Sequence, residues 1–112
     1  MNVLAIGAHG DDLEIFCGGT LAKYAQRGDT VYMCVVMDGR GRPKGDPAQI
    51  VAIRQTEHAA SAALIGAEPL MLGFPDSNLF FNNETRHAFI EVIRQTKPDV
   101  IITHPPEDYH PD

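Results

Sequence analysis

The chain has no tryptophan, only two cysteines, and nine lysines and arginines against fifteen acids, giving a net charge of −6. So few cysteines exclude a disulfide-stapled secreted scaffold. Cys17 and Cys34 lack motif spacing and read as reduced core thiols of a cytoplasmic protein. The excess of acid speaks against nucleic acid or an anionic membrane as the main partner, and no basic stripe offsets it. No apolar run approaches the length of a membrane span. Met1 and Asn2 lead straight into a strand-like run that acids soon interrupt, which is not the pattern of a signal peptide. Internal repeats, low-complexity tracts and linkers are missing as well. What is there is a globular balance, 44% hydrophobic and 21% charged, which argues against disorder. Residues 1–112 suit one small domain with a single core.

Strands and helices alternate along the chain. Val3 to Gly7 reads as a first strand, and Ile15 to Gln26 has helical length before Gly28 stops it. "TVYMCVVM", Thr30 to Met37, is a continuous apolar run suited to a parallel strand buried on both faces. Asp38 to Pro47 is a polar loop rich in glycine and proline, the best candidate for mobility. Ala48 to Leu64 is an alanine-rich helix with Ile50, Ile53, Ala60 and Leu64 near one face. "PLMLGF" makes a third strand. Asn82 or Asn83 caps a third helix whose buried stripe is Phe89, Val92 and Ile93. "KPDVIITH" supplies a fourth strand, with Pro98 blocking continuation of the helix before it.

Such alternation predicts an α/β fold: a Rossmann-like parallel sheet with helices on both faces and strand order 3-2-1-4. In that order the loops after strands one and four lie side by side at the switch point. Those loops are the two most polar clusters in the chain, "AHGDDLE" and "HPPEDYHPD". They therefore converge on one crevice.

Three readings compete for the first cluster. A dinucleotide fingerprint fails, because G-x-G-x-x-G is absent and Asp11 and Asp12 would face a pyrophosphate with like charge. A phosphoacceptor receiver also has an acidic pair after its first strand. It needs an aspartate ending strand three and a lysine after the last strand; Asp76 fits the first only loosely and nothing supplies the second. A metal site uses every residue. His9 and Asp12 can turn an imidazole and a carboxylate to one point, a donor set that suits zinc, with manganese or iron(II) also compatible. A third ligand should come from the neighbouring loop, which holds His104 and His110. Asp11 is then spare and placed to act as general base. Taken alone, "HGDD" also fits an ordinary turn and helix cap.

At these residues the chain resembles the PIG-L/LmbE-like family of N-acetylglucosaminyl deacetylases, which carries A-H-P-D-D-x-E after strand one and H-P-D-H after strand four. Here the motifs read "AHGDDLE" and "HPD" (His110 to Asp112). "RQTEHAASAALIG" and "LGFPDS" resemble the family's intermediate segments, so the similarity spans essentially the whole chain. The resemblance implies that His9 and Asp12 are zinc ligands and Asp11 the general base. It makes His110 the residue that stabilises the oxyanion or protonates the departing amine, with Asp112 orienting it. Arg54 and Asp76 would contact the substrate, while His58 and His87 read as surface helix residues.

Two departures stand out. Gly10 replaces the family proline and loosens the loop. The chain also ends one residue short of the family's third zinc ligand, and family members continue further. It resembles their N-terminal half, which would leave strand four as a bare sheet edge. The implied activity is zinc-dependent release of acetate from an N-acetylglucosamine conjugate whose aglycone is unspecified. The alternative is a non-catalytic metal-binding α/β module. Homo-oligomerisation is left open by the sequence.

Overall fold

The computed structural model describes residues 1–41 and 44–112. Its elements are β1 (Asn2–Gly7), α1 (Asp12–Gln26), β2 (Thr30–Met37), α2 (Pro47–Ile65), β3 (Glu68–Phe74), α3 (Asn83–Thr96) and β4 (Val100–Thr103). The strands form one parallel sheet in the order β3-β2-β1-β4, as the alternation predicts.

β1 and β2 occupy the middle of the sheet, which is why they read as apolar runs without polar interruption. Their side chains still divide with a period of two. Val3, Ala5, Val31 and Met33 pack with Leu13 and Leu21 of α1 and Ala62 of α2. Leu4, Ile6, Cys34 and Val36 point the other way and pack with Val92 of α3. Helices thus cover both faces. Complete burial of Leu4, Leu21 and Met33 stabilises the fold by about 1.5–3 kcal/mol each.

α1 begins at Asp12, three residues before the expected Ile15. Asp12 and Glu14 belong to its first turn, where carboxylates face the positive end of the helix dipole. The acids that read as loop are helix-starting residues.

α2 has the expected length, but its buried side is not the expected face. Leu64 is 88% exposed and Ile53 57%, whereas His58 and Ala62 are buried. The surface assignment of His58 is therefore corrected: the residue is 6% exposed. Its Nε2–H donates to the carbonyls of Met33 at 2.9 Å and Leu70 at 3.1 Å. Part of the reason lies in β3, where Pro69 is aligned with Met33 and brings no N–H to the ladder. The imidazole supplies a donor to carbonyls of that strand pair.

Asn82 caps α3 through a capping box with Thr85. Val92 is buried on this helix, and Phe89 is half-buried against the core. Ile93, expected in the same stripe, is 39% exposed.

The Asp38–Pro47 loop, expected to be mobile, includes residues 42 and 43, which lie outside the described residues. Its start is held by carboxylates. Buried Asp38 pairs with the Arg40 guanidinium at 2.7 Å. Asp76, beyond β3, accepts the backbone N–H groups of Gly39 at 3.1 Å and Gly41 at 2.6 Å.

Candidate active site

β1 and β4 pair directly from Val3↔Val100 to Ile6↔Thr103, so the chain leaves both strands at the same end of the sheet, side by side. Gly7 ends β1 at a close approach. A Cβ there would lie 3.0 Å from Leu13 Cγ, so the residue lets α1 pack against the strand end. The turn that follows closes on itself. The His9 backbone N–H donates to Asp12 Oδ2 at 2.9 Å, which aims that carboxylate back toward the imidazole. The same oxygen lies 3.9 Å from His9 Nδ1 and 3.4 Å from His104 Nε2. Between them stands Asp11, exposed and left-handed at φ 79°, a strained conformation that aspartate tolerates better than most residues. Gly10 is not left-handed, and a Cβ there would meet nothing within 4 Å, so this loop does not depend on glycine at that position.

The second loop closes on the first. Ala8 N–H donates to His104 Nε2 at 3.1 Å. His9 Nε2 and Asp112 Oδ2 share a hydrogen bond of 2.8 Å, and Asp112 also accepts from Ser77 N–H at 3.0 Å. The Asp112 side chain is only 1% exposed. Burial raises the pKa of that carboxyl, but the bonds from His9 and Ser77, with the nearby imidazoles, outweigh it and hold it below the usual carboxylate range. The rings of His9 and His110 meet edge-on with centroids 4.7 Å apart. Asp112 N–H donates to His110 Nδ1 at 3.1 Å, which leaves Nε2 of a neutral His110 ring as the proton-bearing nitrogen. The Asp112 carboxylate is closer to His9 than to His110, whose Nδ1 is 4.0 Å away.

A ligand atom from each of His9, His110 and Asp112 can be chosen so that all lie within 4.8 Å of one another. Tetrahedral bonds of about 2.1 Å put ligand atoms roughly 3.4 Å apart, so two imidazoles and a carboxylate at this spacing fit a divalent ion after small movements. One observation points the same way: Asp112 Oδ1 is buried and has no hydrogen-bond partner. Asp12 lies on the other ring nitrogen of His9, so the imidazole stands between two carboxylates.

Two cavities flank His9. The larger, about 710 Å³, is lined by Asp12, His104, His110 and Asp112 and by Phe16 and Tyr109. The smaller, about 250 Å³, contains Asp11, Arg54 and Asp76, which share a pocket although they are distant in sequence. Arg54 is paired there with Glu57 at 3.1 Å. The quoted motifs contain Glu14, His58 and Ser61, which line the same small cavity, and Ser77, but motif reasoning gave none of them a role in the site. The Ser77 contact is made by backbone, which no side-chain motif could reveal.

The arrangement is that of a Rossmann-like α/β domain with its binding crevice at the switch point between β1 and β4. Residues 4–112 match the family model described as PIG-L, GlcNAc-PI de-N-acetylase, and the chain belongs to that family. It is 31% identical to the diacetylchitobiose deacetylase of Thermococcus kodakarensis, over 98% of this chain and 44% of that protein. It is also 31% identical to the 1D-myo-inositol 2-acetamido-2-deoxy-alpha-D-glucopyranoside deacetylase of Rhodococcus erythropolis, over 98% and 48%. Among solved structures, the N,N'-diacetylchitobiose deacetylase from Pyrococcus horikoshii superposes with a TM-score of 0.86 at 29% identity, covering 97% of this chain and 43% of that one. The chain thus spans a little under half the length of these relatives. No helix among the described residues is long and apolar enough to cross a membrane.

Proposed function

We propose that this chain carries the metal-binding and proton-transfer residues of a zinc-dependent deacetylase that releases acetate from an N-acetylglucosamine-containing conjugate. The observation that carries the reading is the closure of the two loops, His9 to Asp112 at 2.8 Å, at the switch point of the sheet. The names of the relatives support the substrate class, since all three are deacetylases of acetamido sugars or their oligomers.

His9 and Asp12 would hold the ion, which when bound supplies Lewis-acid polarisation of the amide carbonyl and a more acidic water. Asp11 takes the proton of the attacking water. Its lack of any side-chain cap bond to α1 leaves its carboxylate free for that task. His110 donates a hydrogen bond from Nε2 to the developing oxyanion, and the proton that Asp11 took from the water passes to the departing nitrogen, giving a free amine and acetate. Asp112 orients the imidazole pair, through its side chain at His9 and its backbone N–H at His110. Arg54 and Asp76 border the small cavity and contact the sugar. The two unpaired thiols agree with a reducing, cytoplasmic setting.

One specific observation favours a second donor set. His9, His110 and Asp112 form the tighter cluster, so Asp112 competes with Asp12 as the carboxylate ligand.

The test is Asp11→Asn in the complete protein, assayed for primary-amine release from N-acetylglucosamine conjugates with zinc content measured in parallel. Zinc content is expected to stay unchanged while turnover falls about 100-fold or more. Normal deacetylation by Asp11→Asn would remove the base assignment. Zinc binding with no amine release by the wild type would make this a metal-binding module.

A further inference from the structure

The paired register of β1 and β4 ends at Ile6↔Thr103, where Thr103 Oγ1–H still donates to the Ile6 carbonyl at 3.0 Å. β4 stops there for a chemical reason. Pro105 and Pro106 follow almost at once and bring no N–H to a ladder. Ala8, the residue before His9, is nevertheless held at both of its backbone groups. Its carbonyl accepts from Met37 N–H of β2 at 2.9 Å, and its N–H donates to the side chain of His104 at 3.1 Å. The imidazole thus takes the place of a strand partner just beyond the end of β4.

The ring accepts through Nε2, which places the proton of a neutral imidazole on Nδ1. The bond takes up the lone pair that a metal would need at Nε2, so it speaks against His104 as the third ligand. Asp12 Oδ2 lies 3.4 Å from the same nitrogen and already accepts from His9 N–H at 2.9 Å. His104 therefore meets the turn at both ends, at Ala8 leading into His9 and at Asp12 opening α1. Its side chain is 38% exposed, so it adds little to the core. Without the acceptor, Ala8 N–H loses its partner and the turn is freer to move against β4. A shift there reaches His9 and Asp12 together, because the His9 N–H bond ties them.

We propose that His104 is a positioning residue. Its Nε2 anchors Ala8 to the end of β4, sets the spacing of His9 and Asp12 for one divalent ion, and acts on the chemistry only through them. The proposal rests on the metal-site reading of that turn and is independent of which substrate the site takes. The feature that matters is an acceptor at the place of Nε2, not an aromatic ring.

The experiment compares two substitutions in the complete protein. His104→Gln puts an amide oxygen close to where Nε2 stood, whereas His104→Phe keeps a ring and loses the acceptor. Zinc affinity is measured by competition with a chelator, and hydrogen exchange of the Ala8 amide is followed in metal-free protein. Deacetylation of N-acetylglucosamine conjugates is assayed at saturating zinc. His104→Phe is expected to weaken zinc binding about 10- to 100-fold and to speed Ala8 exchange about tenfold or more. It should lower kcat more than it changes KM. His104→Gln should bring zinc affinity and Ala8 protection back close to the wild type. If His104→Phe does not fold, as judged by circular dichroism, His104→Asn takes its place, because the shorter amide falls short of Ala8. Unchanged zinc affinity in the variant lacking the acceptor overturns the proposal. Equal losses in that variant and in His104→Gln overturn it too, since the ring would then be what counts. The expected ranking of zinc affinity and exchange, in a protein that releases no amine, would sink the deacetylase reading alone and leave the role of His104 standing.

Discussion

His9 stands on the wall shared by two cavities, and the two differ in how far along the chain their polar contacts reach. On the crevice side, groups from distant parts of the chain satisfy one another: His9 bonds Asp112, Asp112 bonds Ser77 N–H, and His104 accepts from Ala8. On the other side the contacts join residues nearer in sequence: Glu14 bonds Ser61, His58 bonds the Met33 and Leu70 carbonyls, and Asp76 bonds the Gly39 and Gly41 N–H groups. The difference bears on how substitutions should act on each side. The crevice joins the two ends of the chain, and the proposed proton transfer and metal binding would both use that closure. Interactions in the crevice should therefore be hard to alter without losing the site, while those in the small cavity should change affinity.

Several substitutions sharpen that contrast. The largest expected effect separates the two carboxylates beside His9. If Asp12 is the ligand and Asp112 the orienting group, Asp12→Asn should weaken zinc binding about 100-fold or more and Asp112→Asn only about tenfold, measured by competition with a chelator. The reverse ranking would assign the ion to the His9–His110–Asp112 cluster. Gly39→Ala comes next. Gly39 has φ 77°, and its new Cβ would lie 2.8 Å from Arg54 Cγ. Stability should fall by about 1–2 kcal/mol in chemical denaturation, with Arg54 pushed aside and KM rising. An unchanged denaturation midpoint would contradict the close packing of this loop on α2.

The smallest effect concerns the core beneath both cavities. Burial pushes the Cys34 thiol from 9.0 up to about 11. Since the folded value is the higher one, stability is fully present below pH 9.0 and is lost as pH rises toward 11. Cys34→Ala should flatten that alkaline loss in denaturation curves taken across pH. Without flattening, the slope comes from other groups.

The sheet and the convergence of the two loops were legible because they follow from coarse patterns. Unbroken apolar runs mark central strands, and the order 3-2-1-4 follows from right-handed crossovers, which place the loops of His9 and His110 together. The face of α2 was not legible. Alanine at positions 48, 52, 59, 60, 62 and 63 spreads apolar character around the helix, so periodicity could not choose Ala62 over Ala60. His58 escaped notice for a non-local reason. A histidine in a helix next to Glu57 reads as surface until Pro69, eleven residues on, is seen to bring no donor to the strand pair beneath it. The acids of Asp12 and Glu14 concealed the start of α1 because carboxylates serve equally in turns and in first helical turns. Which imidazole Asp112 would approach depended on the Ser77 backbone, and no motif encodes that.

All of these assignments depend on His9 being the donor common to both loops. Zinc titration by isothermal calorimetry on the complete protein, wild type beside His9→Ala, tests this most directly. The account predicts one zinc per chain in the wild type and binding weakened at least about 100-fold in the variant, whose circular dichroism should be unchanged. Equal zinc affinity in the two proteins would contradict it.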